Sequence, residues 1–157
     1  MIGQATILET YAGIAQGSDL YAYVTKSLGA ENFRELLASD RACMWVVETA
    51  VGSCAVGYAL LVGGEGEEPF AATELERLYV FYRFHGLGLG KRLMDEALAF
   101  ARAKNATSMT LRVNSLNAHA IAFYERYGFK TESEEPFRAG ERDYRVLVMR
   151  LRLNSPL

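Results

Sequence analysis

Residues 74–100 read ELERLYVFYRFHGLGLGKRLMDEALAF, and the order of features within them decides the fold. Leu75–Phe81 is rich in large apolar residues, as a buried strand requires. Glycines follow at 86, 88 and 90. From Gly90 to Ala103, Leu93, Met94, Ala97, Leu98, Phe100 and Ala101 share one face of a helix. Lys91, Arg92, Asp95, Glu96 and Arg102 lie away from it. A strand therefore runs through closely spaced glycines into an amphipathic helix.

Two familiar phosphate loops do not fit. A P-loop needs glycine at 85 and a hydroxyl residue at 92, where this chain has His85 and Arg92. A G-x-G-x-x-G fingerprint fails because its third glycine falls on Lys91 or Leu93. What remains is G-x-G-x-G before a helix. Such glycines let several backbone N–H groups converge, and the helix start adds unpaired donors and about half a positive charge. Together they suit a pyrophosphate. Lys91 and Arg92 sit at the wrong end of a helix for cations unless an anion compensates. A plain tight turn that needs positive φ is the alternative.

Outward from this unit, Gln4–Thr10 reads as a short strand. Leu20–Leu28 and Glu31–Leu37 read as helices broken at Gly29. Met44–Thr49 and Ala55–Val62 form a hairpin around Val51-Gly52-Ser53. Gly63–Pro69 is a polar loop. Met109, Leu111 and Val113 alternate as in a strand, and Asn117–Tyr127 is a helix closed by Gly128. Phe129–Ser133 and Tyr144–Leu151 are the last strands. The order β-α-α-β-β-β-α-β-α-β-β predicts an α/β domain with a mixed sheet and helices on both faces.

A chain of 157 residues, 50% of them apolar, can fill one domain spanning 1–157 without metal or disulfide support. A net charge of -2 gives no sign of nucleic acid or an anionic membrane as partner. No apolar run reaches about 18 residues, so no membrane span is expected. Met1–Thr10 lacks a basic region followed by an apolar core, so no signal peptide is expected. Cys43 and Cys54 have no metal-ligand spacing and read as small buried residues, with a cytoplasmic, reducing setting. No metal is expected.

Three stretches together resemble the GNAT acyltransferase superfamily. The glycine turn is similar to its motif [QR]-x-x-G-x-[GA], with His85 in the Gln/Arg place and Gly88 and Gly90 as matched glycines. ELERLYV (74–80) resembles the central strand of small GNAT enzymes. VNSLNAHAIAFYERYGF (113–129) resembles their V-N-x-x-N-x-x-A-I-x-F-Y-x-x-x-G-F. The chain departs from the pattern at Tyr82, often Pro, at His85, and at Leu87, often basic.

The resemblance implies a mostly antiparallel mixed sheet of six to seven strands and an N-acetyltransferase. Acetyl-CoA would be the co-substrate, and a primary amine of a small molecule or peptide would attack it directly in a ternary complex. A non-catalytic acyl-CoA-binding protein or sensor is the alternative. The implied pyrophosphate site is His85, Gly86, Leu87, Gly88, Leu89, Gly90 and Lys91. Leu78, Tyr79 and Val80 would lie along the pantetheine and carbonyl, where this strand splays from its neighbour. Asn117 and Phe123 would also face the cofactor, although Asn117 equally suits an N-cap.

The attacking amine must lose a proton. An alkylamine is only about one part in a thousand neutral at pH 7, so a base is needed. Glu74 and Glu76 share a strand face. The resemblance points to Glu74, while Glu76 lies one pleat nearer the reaction centre. Tyr124 matches the family's general acid for the leaving thiolate. The acceptor would sit between Leu20–Leu37 and the hairpin loop Thr131–Asp143. Glu132, Glu134 and Glu135, with Glu65, Glu67 and Glu68, suggest an acidic rim and a cationic acceptor. Acidic loops are also ordinary at a pI of about 5.8. Homodimers are common in the family, and which sheet edge would pair is left open.

Overall fold

The computed structural model describes residues 1–65 and 67–153. Gly66 of the polar loop and 154–157 at the end of the expected domain lie outside the described residues. The order is α1 (Ile2–Tyr11), α2 (Gly17–Ser27), α3 (Ala30–Leu37), β1 (Ala42–Glu48), β2 (Ala55–Gly63), β3 (Ala72–Val80), α4 (Leu89–Ala103), β4 (Ser108–Asn114), α5 (Ala118–Arg126), β5 (Lys130–Ala139) and β6 (Arg142–Arg152). Six strands form one sheet in the order β1-β2-β3-β4-β6-β5. β3 and β4 run parallel, and every other neighbouring pair is antiparallel. β2 is buried over most of its length, which is why it reads as an unbroken apolar run.

The expected first strand is a helix. Gly3, Thr6 and Ile7 are its buried residues, a 3-4 spacing that only a helix brings to one face. Thr6 and Ile7 are β-branched and favour a strand locally. The helix satisfies the threonine hydroxyls instead: Thr6 Oγ1 donates to the Ile2 carbonyl at 2.9 Å and Thr10 Oγ1 to the Thr6 carbonyl at 2.7 Å. Packing of Ile7 against Leu20, Val24 and Leu28 decides the outcome.

The last hairpin also differs. The expected loop 131–143 is mostly strand: β5 runs to Ala139 and β6 starts at Arg142. β5 is an edge strand exposed nearly throughout, so no apolar alternation marks it. Cross-strand ion pairs from Glu132 to Arg150 (2.8 Å) and from Glu134 to Arg145 (3.3 Å) link it to β6. A third correction concerns the cysteines. Cys43 is half-buried, but Cys54 is exposed at the β1–β2 turn.

Helices cover both sheet faces. On one, Leu93, Met94, Ala97 and Leu98 of α4 and Tyr124 of α5 pack on Leu75, Met109, Leu111 and Met149. Each such fully buried large side chain contributes about 1.5–3 kcal/mol. On the other, α1 and α2 bury Ile7, Leu20, Val24 and Leu28 with Tyr11, Tyr23, Phe33 and Tyr79. The candidate cleft opens on the face covered by α1 and α2.

Candidate active site

β3 and β4 are paired only from Ala72↔Ser108 to Glu74↔Thr110. Beyond that, β3 stays on β2 as far as Val80, and β4 stays on β6 as far as Asn114. The two strands part, and alternate backbone groups along each face the gap instead of a ladder. A hollow of about 670 Å³ lies beside the gap, walled by α1, α2 and the β5–β6 hairpin. Glu74, Glu76, Arg77 and Tyr79 line it from β3.

A β-bulge sets which β3 side chains reach the hollow. Leu61 is opposite Leu75 and Leu60 is opposite Arg77, so Glu76 is the extra residue. Strict alternation would turn Arg77 toward α4. With the bulge, Glu74, Glu76 and Arg77 all line the hollow, while Leu78 and Val80 return to the α4 face. The two candidate bases do share the cleft. Both already hold a cation: Glu74 pairs with Arg112, and Glu76 with Arg77 at 2.9 Å.

The glycine turn follows β3 directly. Gly86 (φ 78°) and Gly88 (φ 74°) are left-handed, and Gly88 caps α4 with no side-chain bond. The amides of residues 86–91 donate to no backbone carbonyl among the described residues. Gly90 has no positive φ, and a Cβ there would meet nothing within 4 Å. Nothing in the chain itself demands glycine at 90. The open space beside amides without a backbone acceptor leaves room for a group to approach the backbone closely, and the residues fit a pyrophosphate.

His85 braces this turn. Its Nε2 lies 2.8 Å from the Val80 carbonyl, and its ring stacks on His119 with centroids 5.8 Å apart. Tyr82 supplies an amide that proline would lack, and this N–H donates to Glu9 Oε2 at 2.8 Å. Lys91 pairs with Asp95 at 2.6 Å, and the Tyr127 hydroxyl donates to the same carboxylate at 2.9 Å. Asp95 is held below the usual carboxylate range, first by Lys91. Lys91 is therefore a paired cation. Leu87 is exposed at the tip of the turn, and Leu89 opens the helix.

Asn117 caps α5, its Oδ1 accepting the Ala120 N–H at 3.2 Å. It also lies close enough to the Tyr11 hydroxyl to oppose the rise that burial imposes on that phenol, as does Tyr79. Tyr124 packs with Phe123 and Phe129 in the α4-side core. Its phenol is nonetheless within electrostatic reach of Tyr11 and Tyr79 across the gap. Burial above all, and then Tyr11, raises its pKa, so it remains protonated. Phe123 is half-buried against Tyr124 and Tyr127 and does not line the hollow.

The acceptor side carries a different charge from the one expected. Glu132 and Glu134 are tied to arginines, as above, Glu135 lies 4.0 Å from Arg112, and Glu65 lies 3.9 Å from Arg41. None of the six rim glutamates lines the hollow. Its charged wall residues are Glu74 and Glu76 against Lys26, Arg77, Arg112 and Arg138.

Asp19, absent from the residues singled out in the sequence, fastens the wall. It is buried in α2 and accepts the Tyr144 hydroxyl at 2.8 Å, the Glu141 N–H at 3.2 Å and Arg142 Nη1 at 3.2 Å. These partners hold its carboxyl below the usual range, Tyr144 most of all. Tyr11, Arg77 and Arg112 are further cleft residues that sequence reasoning missed. The misread first helix hid Tyr11, and only the bulge reveals Arg77. No group of three or more His, Cys, Asp or Glu suited to a metal occurs among the described residues. No described helix is long and apolar enough to cross a membrane.

Comparison with known proteins agrees with this architecture. Residues 10–129 match the family model described as the acetyltransferase (GNAT) family. An uncharacterized N-acetyltransferase of Mycobacterium tuberculosis is 33% identical over 133 residues, covering 83% of this chain and 81% of that protein. The peptidyl-lysine N-acetyltransferase YjaB of Salmonella typhimurium is 32% identical over 99 residues, 61% of this chain and 58% of its own. The crystal structure of the PaiA N-acetyltransferase from Thermoplasma acidophilum in complex with coenzyme A superposes with a TM-score of 0.77. It is 20% identical and is covered over 88% of its chain by 96% of this one.

Proposed function

The chain belongs to the acetyltransferase (GNAT) family, and we propose that it transfers an acetyl group from acetyl-CoA to a primary amine by direct attack in a ternary complex. The observation that carries this reading is the parting of β3 and β4 after Glu74, immediately ahead of a helix start with bare amides. One element thus ends in an anion cradle and exposes backbone donors to a cleft.

Bound acetyl-CoA would supply the activated acetyl group as a thioester. The amides of residues 86–91 and the positive end of α4 hold its phosphates. Leu78 and Val80 offer backbone N–H groups at the gap to the carbonyl oxygen, a contribution of about 3 kcal/mol where such a donor is aligned, while the Tyr79 N–H faces β2. Glu74 or Glu76 takes a proton from the amine. Arg112 or Arg77 must release part of its hold on that carboxylate as it does so. Tyr124 keeps its proton and would offer its hydroxyl as a donor to the sulfur. Because burial makes it a weaker acid, hydrogen bonding to the departing thiolate is its main task, and full proton transfer comes second.

The test is a panel of amines with acetyl-CoA, read by thiol release and product mass. Acetylated product with at least one amine is the expected result. Calorimetric preference for ATP or NAD over CoA would overturn the reading.

A further inference from the structure

Arg77 is a buried charge to which the chemistry above gives only a pairing role. Its side chain is 10% exposed, and it lines both the main hollow and a smaller one of about 340 Å³ beside α3. A guanidinium carries five N–H donors and cannot shed its charge. Here Nη2 donates to Glu76 Oε1 at 2.9 Å, and the Phe33 ring lies 5.6 Å from Cζ. Nε has no acceptor, and the buried Tyr58 hydroxyl has no partner either. Burial pushes that phenol up to about 12 against the pull of Arg77, so it stays a donor beside the guanidinium.

The Tyr58 oxygen can itself accept from the guanidinium, but Arg77 Nη1 donates to nothing among the described residues, and a charge with an unused donor beside a hollow leaves room for an acceptor from outside. Lys26 also lines both hollows and forms no ion pair among the described residues. Glu74 and Glu76 stand beside these cations. Glu76 and Arg77 offset one another, as do Glu74 and Arg112, so Lys26 leaves this wall positive, and a ligand whose ammonium takes up one of the carboxylates frees its arginine for a carboxylate on the same ligand. A bare polyamine brings nothing to Arg77 and Lys26. Resting on the acetyltransferase reading, we infer that the acceptor amine carries a carboxylate, as an amino acid does, and that Arg77 with Lys26 binds it.

Pairs that differ only by the carboxylate test this: lysine with cadaverine, tyrosine with tyramine, histidine with histamine. In any pair that turns over, kcat/KM is expected to be roughly 10- to 100-fold higher for the acid. Calorimetry on protein saturated with CoA, where no transfer occurs, should show the same preference. Arg77→Met should bring the ratio near one, and Arg77→Lys should restore part of it. Lys26→Met alters an exposed side chain and should lower the ratio in a folded protein. It decides the matter with the paired binding data if Arg77→Met does not fold.

A wild-type ratio of one or less, in turnover or in binding, overturns the carboxylate site. Acetylation of any amine in the panel would leave the transferase reading standing. Carboxylate-selective binding without thiol release from any amine would overturn the transferase reading and keep the site. A ratio unchanged in both Arg77→Met and Lys26→Met would overturn the assignment to these residues.

Discussion

Gly90→Ala should make the protein more stable and a poorer binder of coenzyme A. Gly90 is the second residue of α4, has no positive φ, and leaves open space where a Cβ would stand. Alanine is the better helix former by up to about 1 kcal/mol, and it also reduces the freedom of the unfolded chain. A gain of about 0.5–1 kcal/mol raises Tm by roughly 1–4 °C in a chain of this size. The same methyl group intrudes where a phosphate must approach the amides. Loss of one charge-assisted hydrogen bond costs about 1.5–3 kcal/mol, or roughly 10- to 100-fold in Kd. Gly88→Ala is the contrast, because φ of 74° costs alanine about 1–2 kcal/mol and lowers Tm. The assays are thermal melting of the ligand-free protein and calorimetry with CoA and with pantetheine, which lacks the pyrophosphate. Gly90→Ala protein that melts higher but binds CoA as tightly as wild type would refute the cradle. An equal loss for pantetheine would place the damage elsewhere.

Tyr124→Phe should lower kcat about 10- to 100-fold with little change in the KM for acetyl-CoA. Since burial raises this phenol, wild-type activity should show no alkaline fall from its ionisation below about pH 10; a Tyr124-dependent fall nearer pH 8 would contradict this. Glu74→Gln and Glu76→Gln separate the two candidate bases: the true one should cost at least about a hundredfold in kcat at pH 7. Full activity in both variants would remove the base from β3. Asp19 has a depressed folded pKa, so its stabilising effect is complete above 3.8 and fades as pH falls through the lower folded value. Tm measured from pH 6 down to pH 2.5 should drop less steeply in Asp19→Asn, which starts lower. Parallel curves would show that Asp19 does not clamp the hairpin.

Much of the fold was legible because burial and period agree. The α4 positions Leu93, Met94, Ala97 and Leu98 face the core as their spacing requires, and β4 buries Met109, Leu111 and Val113. Reading failed where tertiary packing overrode local preference. Thr6 and Ile7 favour a strand in isolation, yet α1 wins by burying Ile7 and feeding its hydroxyls to its own carbonyls. β5 stayed hidden because both its faces are wet and charge pairing holds it in place. The glycine turn itself was legible, since Gly86 and Gly88 take the left-handed conformation that favours glycine and α4 starts directly after them. The reason for Tyr82 was not, since its amide serves Glu9, 73 positions away.

The charge of the acceptor cleft shows why composition near a site is a poor guide to the site. Glu132, Glu134 and Glu135 are close in sequence to residues that wall the hollow, but each faces an arginine, the first two on β6 and the third on β4. A carboxylate 3–4 Å from a guanidinium contributes little net field a few ångströms further on, since the two charges act as a dipole. Arg77 is the converse case. Counted by strand period from Leu75 it belongs with the core, and an arginine there would have no place. The extra residue at Glu76 shifts the parity by one, so two consecutive charged side chains enter the same hollow. One bulge thus supplies a carboxylate suited to an amine and a guanidinium suited to an acid on adjacent residues. Under the proposals above, an acceptor that separates this ion pair would be selected by the same few residues of β3 that the chemistry uses.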